Sequence, residues 1–290
     1  MTKKTDTLLG VSEQFTAVND VDIAVEEIER NGYTILDNVL SDAELIYLYD
    51  GVLERIYRIQ CEEIGGEDVM LQIGEDGSVK HLFSYDDFFV QMLTKEPPFS
   101  IIKSFLGENI SLYLQNAIMN FSGVENPASV WHRDLPYQHY VSDSPLALTS
   151  LYVVDEFNSD TGGPFVLSGS HKFGKFPSSP FVERHAQQIC APVGSVLLFD
   201  SMLYHQAGYN RSDKVRRAIS QTFTVPIIRP QMDIPVLLDG KYSDDPILRK
   251  LFSYDYRSSE SALAYRQRRI PAGSQRVVPG QGKRLTSIKD

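Results

Sequence analysis

The sequence predicts a mainly β fold with flanking helices, closed into a sandwich or barrel. Beyond Gly107 the chain is a series of short β-rich runs separated by turn signals, at 110–121, 146–154, 165–167, 195–199 and 218–228. It carries neither a G-x-G-x-x-G nor a G-x-x-x-x-G-K-[ST] loop, so a doubly wound, phosphate-cradling sheet is not expected. With 290 residues, 42% hydrophobic and 23% charged, the composition is that of a globular protein with a sizeable core.

The elements follow in order. Residues 1–20 are polar and without a period. A short helix is expected at 22–31, where Ile23, Val25 and Ile28 fall at near-helical spacing, and a strand over 32–40, where Gly32-Tyr-Thr-Ile-Leu-Asp-Asn-Val-Leu alternates. Ser41-Asp-Ala-Glu44 has the form of a capping box, and the helix it opens should run to about Gln60 with Leu45, Leu48, Val52, Ile56 and Ile59 on one buried face. Residues 62–93 allow no assignment; their aromatic group Phe83, Tyr85, Phe88 and Phe89 reads as a core patch in preference to a lid. A helix over 98–105 precedes the strands. One domain is expected over 1–265, with its core at about 95–230, followed by a flexible basic tail at 266–290 rich in Pro and Gly.

Charge and composition exclude several functions. The net charge is −10, but 266–290 holds seven Lys/Arg against one Asp, which leaves 21 basic and 37 acidic residues upstream, a body at −16. Such a surface does not concentrate nucleic acid or polyphosphate. No apolar run approaches the ~20 residues of a membrane span, and no secretory signal is visible. Only Cys61 and Cys190 are present, without metal-ligand spacing, so two buried thiols and a reducing cytoplasm are the expected setting.

The informative segment is Ser129-Val-Trp-His132-Arg-Asp134-Leu-Pro. In a strand, positions i and i+2 share a face, so His132 and Asp134 can present an imidazole and a carboxylate to one point, and His205 downstream supplies a second imidazole. Two histidines and one carboxylate leave one face of a metal open, the arrangement of non-haem Fe(II) oxygenases. An H-x-D pair alone is a weak signal and is more often an ordinary hydrogen-bonded pair. Arg216, eleven residues past His205, adds weight: it shares a strand face with Ala218, Ser220 and Thr222, small side chains that leave a cavity a guanidinium could close on a carboxylate. Parity puts Arg217 on the opposite, packed face, and parity and spacing alone choose Arg216 over Arg217. His139 reads as a surface histidine, His171 as a structural one, and His81 and His185 as ordinary. The Ser168-Gly-Ser run does not make a nucleophile elbow.

In these motifs the chain resembles the phytanoyl-CoA dioxygenase-like family of Fe(II)/2-oxoglutarate oxygenases. The matching residues are His132-Arg-Asp134, Asp160-Thr-Gly-Gly-Pro-Phe-Val-Leu-Ser-Gly-Ser-His171, Gly194-Ser-Val-Leu-Leu-Phe-Asp200 and His205-x-x-Gly208-x-Asn210-x-Ser212 leading to Arg216, together with the opening Gly32–Leu45 run; the resemblance covers about 20–225. It implies a double-stranded β-helix (jelly roll, cupin-like), Fe(II) held by His132, Asp134 and His205, and 2-oxoglutarate anchored by Arg216, with O₂ as the third reactant. Two departures are present. The family's Asn-Gly-Pro is here Gly162-Gly-Pro, and Ala207 stands where some relatives offer a hydroxyl to the co-substrate, which makes Gln115, on the strand before the H-x-D, a candidate to assist Arg216.

The resulting expectation is a 2-oxoglutarate-dependent dioxygenase that hydroxylates an unactivated C–H bond of a small metabolite and releases succinate and CO₂. Asp134 fills the position that related halogenases leave to chloride, so halogenation is not expected. Desaturation, epimerisation or cyclisation at the same iron is the first rival, and a non-catalytic metal-binding jelly roll the second. The acidic body favours a neutral or cationic substrate over an acyl-CoA. Residues 62–95, 135–146 and 229–262 are expected over the barrel mouth. Oligomeric state is not readable.

Overall fold

The computed structural model describes residues 2–4 and 13–270. They belong to two compact units, Met1–Tyr254 and Asp255–Asp290. In the first, β1 (Thr2–Lys4) pairs antiparallel with β2 (Glu13–Phe15). Helix α1 (Asp20–Asn31) opens where the Asn19 side chain accepts from the Asp22 N–H at 2.9 Å, and closes at Gly32, whose φ of 88° turns its N–H onto Ile28 O. Its inward stripe is Val21, Ala24, Val25 and Ile28, the i, i+3, i+4, i+7 set. Ile23, expected on that stripe, falls outside it and is 49% exposed.

After β3 (Tyr33–Leu36) the capping box forms as expected: the Glu44 carboxylate accepts from the Ser41 N–H at 2.8 Å, and Ser41 Oγ accepts from the Glu44 N–H at 3.4 Å. The expected single helix is interrupted, however. It consists of α2 (Asp42–Tyr47), a widened π-type turn over Leu48–Val52 with Gly51 at φ 79°, and α3 (Leu53–Ile64). The widened turn rotates α3, so Leu53, Ile56 and Cys61 face the core while Ile59 is 44% exposed. Residues 62–93, left unassigned from sequence, contain α4 (Glu67–Gln72), β4 (Ser78–Val79) and α5 (Asp87–Met92). Phe83 and Phe89 are buried core, as expected, and Tyr85 is exposed. Helix α6 (Pro98–Leu106) follows.

The remaining strands are β5 (Ser111–Asn120), β6 (Ala147–Val153), β7 (Phe165–Val166), β8 (Gln187–Gln188), β9 (Val196–Asp200), β10 (His205–Gln206) and β11 (Arg216–Thr224), with α7 (Ser179–His185) between β7 and β8. They form an antiparallel six-stranded sheet of order β3-β9-β6-β11-β5-β4 and a three-stranded sheet of order β10-β7-β8. One face of the large sheet, with Ala117, Met119, Leu148, Tyr152, Leu198, Ile219 and Phe223, packs on the helices. The other face, with Leu151, Val153, Leu197, Phe199 and Ala218, packs on Val166, Ile189 and Ala191 from the small-sheet side. This two-sided covering is why every residue of β6 is buried, and each fully buried large side chain contributes roughly 2 kcal/mol. The architecture is the double-stranded β-helix with flanking helices. Two sheets with small polar side chains at one end leave the space in which a site can form.

In the second unit, a helix over Ala262–Gln267 is capped by Ser261 Oγ, which accepts from the Ala264 N–H at 3.1 Å. The expected basic tail begins inside this helix, and its residues 271–290 lie outside the described residues. No helix among the described residues is long and apolar enough to cross a membrane.

Candidate metal and co-substrate site

His132 and Asp134 do not lie in a regular strand as expected. The chain from Pro127 enters the barrel mouth irregularly, and the pair is held by isolated ladder bonds: His132 N–H to His205 O at 2.9 Å, His205 N–H to His132 O at 3.1 Å, and Asp134 N–H to Ser201 O at 3.0 Å. These bonds bring β10 against the H-x-D segment. Arg133, between the two, is fully buried and points away. Its guanidinium donates to the carbonyls of Gln138, Tyr140, Ser170 and Phe173 and lies 4.0 Å over the Tyr204 ring, so it fixes the loop that carries its neighbours.

The three ligand-type side chains converge. One donor atom from each of His132, Asp134 and His205 lies within 4.8 Å of the others, and His205 Nε2 is 3.3 Å from Asp134 Oδ1. Nδ1 of His132 faces Val130 O at 2.8 Å and Nδ1 of His205 faces Leu203 O at 3.0 Å. A carbonyl only accepts, so each Nδ1 carries a hydrogen and each Nε2 is the nitrogen turned toward the shared point. Thr149 on β6 donates to Asp134 Oδ2, leaving Oδ1 for the same point. Burial lowers the His132 pKa and keeps that ring neutral. Burial also opposes charge on His205 and Asp134, yet their mutual attraction prevails, raising the first and lowering the second. Two imidazole nitrogens and one carboxylate oxygen on one side of an open space fit a divalent iron.

Arg216 begins β11 and is 3% exposed. It lines a cavity of about 100 Å³ together with His132, Asp134, His205, Leu151, Leu197, Phe199 and Val166. Among the described residues its guanidinium has no hydrogen-bonding partner; Nε is buried and unsatisfied, and the nearest described support is the Phe157 ring, 4.9 Å from Cζ. Burial pushes its pKa down to about 10. Asp155 acts on it only through space and is itself bound by Arg217, so this buried guanidinium is free to take an anion. Arg217 is its converse on the packed face, donating to both oxygens of Asp155 at 2.8 and 3.0 Å and to Glu54 at 3.2 Å.

Gln115 is not brought to this site. Arg216 pairs across the ladder with Asn120, so the even-numbered residues of β5 share its face, and Gln115 points with Ala117 and Met119 toward the helices. It is 0% exposed and donates to Phe89 O at 2.7 Å, which occupies it structurally. The Gly162-Gly-Pro and Gly208 elements explain themselves by contact: a Cβ on Gly208 would come within 2.3 Å of Gly163 O, and one on Gly162 within 2.6 Å of Gly208 O. The segments before β7 and after β10 can thus close together only as glycines. His139 and His185 are exposed; His171 is buried against Glu29 O, the structural role expected of it. Cys61 is buried, but Cys190, expected to be so, is exposed beside the short β8 edge. Thr149 went unnoticed in the sequence, although alternation along 146–154 would have placed it on the inner face.

Comparison with known proteins bears on the same residues. The model of the family described as phytanoyl-CoA dioxygenase matches residues 28–218, which include His132, Asp134, His205 and Arg216. The chain belongs to the phytanoyl-CoA dioxygenase family. An uncharacterized protein of Mycobacterium tuberculosis is 32% identical over 210 residues, 70% of this chain and 74% of that one. The ectoine dioxygenase of Stutzerimonas stutzeri is 25% identical over 224 residues, 66% and 72% of the two chains. In fold, the epimerase SnoN, solved with Fe³⁺, alpha-ketoglutarate and nogalamycin RO, superimposes with a TM-score of 0.53 at 17% identity over 70% of this chain and 83% of its own. Family membership makes the protein a 2-oxoglutarate-dependent non-haem iron dioxygenase that uses Fe(II), 2-oxoglutarate and O₂, acting on a small molecule.

Proposed function

We propose that His132, Asp134 and His205 hold the Fe(II), that Arg216 grips the far carboxylate of 2-oxoglutarate, and that the enzyme hydroxylates an unactivated C–H bond of a small neutral or cationic metabolite in the cytoplasm. Iron with 2-oxoglutarate and O₂ supplies the oxidant when bound, and succinate and CO₂ leave. The protein's part is placement. The Nδ1–H bonds to Val130 and Leu203 hold both imidazoles with Nε2 forward, and Thr149 keeps Asp134 from turning its second oxygen inward. Leu151, Leu197, Phe199 and Val166 line the co-substrate cavity with hydrocarbon, which excludes water and strengthens the grip of Arg216 on a carboxylate.

The observation that carries this reading is the buried Arg216 guanidinium, which has no hydrogen-bonding partner among the described residues and lines one cavity with all three ligand-type side chains. An intact triad together with Arg216 speaks against a non-catalytic jelly roll. A fold neighbour is an epimerase, and that favours one second reading, hydrogen abstraction without oxygen transfer at the same iron. The test is a substrate screen for succinate release by wild-type protein and Asp134→Ala, followed by ¹⁸O₂ labelling of the product. Hydroxylation predicts succinate from the wild type alone and one labelled oxygen in the product. Coupled succinate release without label would transfer the assignment to epimerisation or desaturation, and turnover retained in Asp134→Ala would overturn the ligand set.

A further inference from the structure

A second, larger chamber adjoins His132 and Asp134. Its volume is about 290 Å³, and it is lined by His132 and Asp134, by Asn116, Ser220 and Thr222 of the sheet, and by residues 74–78, Lys80 and residues 126–128. Arg216 does not line it, and Asn116 does not line the Arg216 cavity. The two spaces share His132, Asp134, Ile118, Ala128 and Ser220, as a co-substrate pocket and a substrate pocket on one metal must.

Asn116 is the group in this chamber whose hydrogen bonding is incomplete in an informative way. It is 8% exposed, and its Oδ1 accepts from the backbone N–H of His81 at 3.2 Å. A backbone N–H can only donate, so the oxygen of the amide must face His81 and the NH₂ must face away from it. Among the described residues that NH₂ donates to nothing. On the ladder Asn116 stands directly opposite Ser220, so the amide donors and the Ser220 hydroxyl are neighbours on one wall. Thr222 is less available: its hydroxyl lies 3.0 Å from Thr149, whose single proton goes to Asp134, so Thr222 donates toward Thr149.

The charges around the chamber narrow the ligand further. Lys80 Nζ is held at 2.8 Å by Glu75, and both terminal nitrogens of Arg133 donate to backbone carbonyls while its unpartnered Nε is buried. Neither cation is free for an anionic ligand, whereas Glu75 and Asp76 bring carboxylates to the rim. A phosphate or carboxylate would enter without compensation.

Resting on the iron-site reading above, we propose that Asn116 is the residue that selects the substrate: its NH₂ donates to an uncharged carbonyl or hydroxyl oxygen, with Ser220 Oγ as the adjoining partner, so the substrate presents a neutral polar group at this wall and not an anion. Asn116 positions the C–H bond over the metal and leaves the 2-oxoglutarate side untouched.

The test uses three matched probes, propionamide, propionate and propionamidinium, with the enzyme loaded with Mn(II) and saturating 2-oxoglutarate. Paramagnetic relaxation of the probe protons reports residence beside the metal, and water-proton relaxation reports metal loading independently. In the wild type propionamide should be relaxed most. Asn116→Leu should weaken propionamide by about tenfold, the usual size of one unsatisfied or lost buried hydrogen bond, with unchanged Mn(II) and 2-oxoglutarate affinities. Asn116→Asp keeps the acceptor for the His81 N–H but replaces the donors with a carboxylate, so preference should pass to propionamidinium, a reversal that a damaged fold does not produce. The proposal is overturned if the order of the three probes is the same in wild type and Asn116→Asp, if propionate is preferred, if no probe is relaxed by a loaded site, or if Asn116→Leu weakens 2-oxoglutarate instead. Failure of Mn(II) to load would overturn the iron-site reading, and this proposal with it.

Discussion

Replacing Arg216 with Met should make the ligand-free protein more stable and the co-substrate-bound protein less so. The guanidinium is 3% exposed and has no hydrogen-bond partner among the described residues, and burial brings its pKa from 12.5 to about 10. At about 1.4 kcal/mol per pKa unit, holding the charged form there costs about 3 kcal/mol. Methionine has similar length and no charge to desolvate; part of the gain is offset by losing the contact with Phe157, about 1 kcal/mol. A net 2 kcal/mol corresponds to a rise in Tm of roughly 4–8 °C for a domain of this size. In the wild type, 2-oxoglutarate at a hundred times its Kd adds about 2.7 kcal/mol by mass action. Loss of a desolvated charge-assisted pair should remove about 4 kcal/mol of that affinity in the variant, a factor of about 1000, so at the same concentration the variant gains almost nothing from the co-substrate. Calorimetric melts of the Mn(II)-loaded proteins, with and without 2-oxoglutarate, should therefore cross: the variant melts higher without the co-substrate and lower with it. A variant that melts lower in both conditions and keeps the 2-oxoglutarate shift would refute the reasoning.

Other outcomes follow from neighbouring residues. Arg217→Ala should cost about 2 kcal/mol of stability in urea melts by stranding Asp155, yet leave the 2-oxoglutarate-induced shift intact, which separates the two adjacent arginines by function. Thr149→Val should weaken Mn(II) binding by roughly 10–100-fold in a competition titration, because Asp134 Oδ2 loses its donor; unchanged affinity would show that Thr149 plays no such part. Stability should fall as the pH drops from about 6.5 to about 4. Burial, with Lys80 beside one and Lys172 beside the other, lowers His81 and His171 to about 4, so the unfolded chain takes up those protons first and each histidine removes about 1.4 kcal/mol per pH unit across that window. Asp200, pushed up to about 6 by burial, acts in the opposite sense and cancels roughly one of the two. His81→Asn, which tolerates the left-handed backbone there, should flatten the profile in urea midpoints taken against pH, and an unchanged slope would count against it.

Much of the site was legible because its signals are local. The H-x-D pair, His205 and the alternation through Arg216, Ala218, Ser220 and Thr222 need only side-chain parity, and the capping box at Ser41 needs only four residues. What failed depended on information a single chain does not carry. Gln115 was placed beside the co-substrate because the strand preceding the H-x-D could be recognised but its register could not; one residue of slip exchanges the faces of β5, and the observed pairing of Asn120 with Arg216 gives the inner face to Asn116. The same register conceals Asn116 from sequence reading altogether. Gly51 could have ended a helix or bulged it, and only packing of Leu48, Val52 and Leu53 into one core decides for the bulge. His132 and Asp134 converge without a regular strand, since bonds to His205 and Ser201, distant in the chain, do the aligning.

The most direct test of the iron and co-substrate assignment is anaerobic absorption spectroscopy. Fe(II) followed by 2-oxoglutarate should give the weak visible charge-transfer band of a chelated 2-oxoacid in the wild type, no band in His205→Ala, and a band that requires much higher 2-oxoglutarate in Arg216→Met. Absence of the band in the wild type at saturating iron and 2-oxoglutarate, or a band indifferent to both substitutions, would contradict the account.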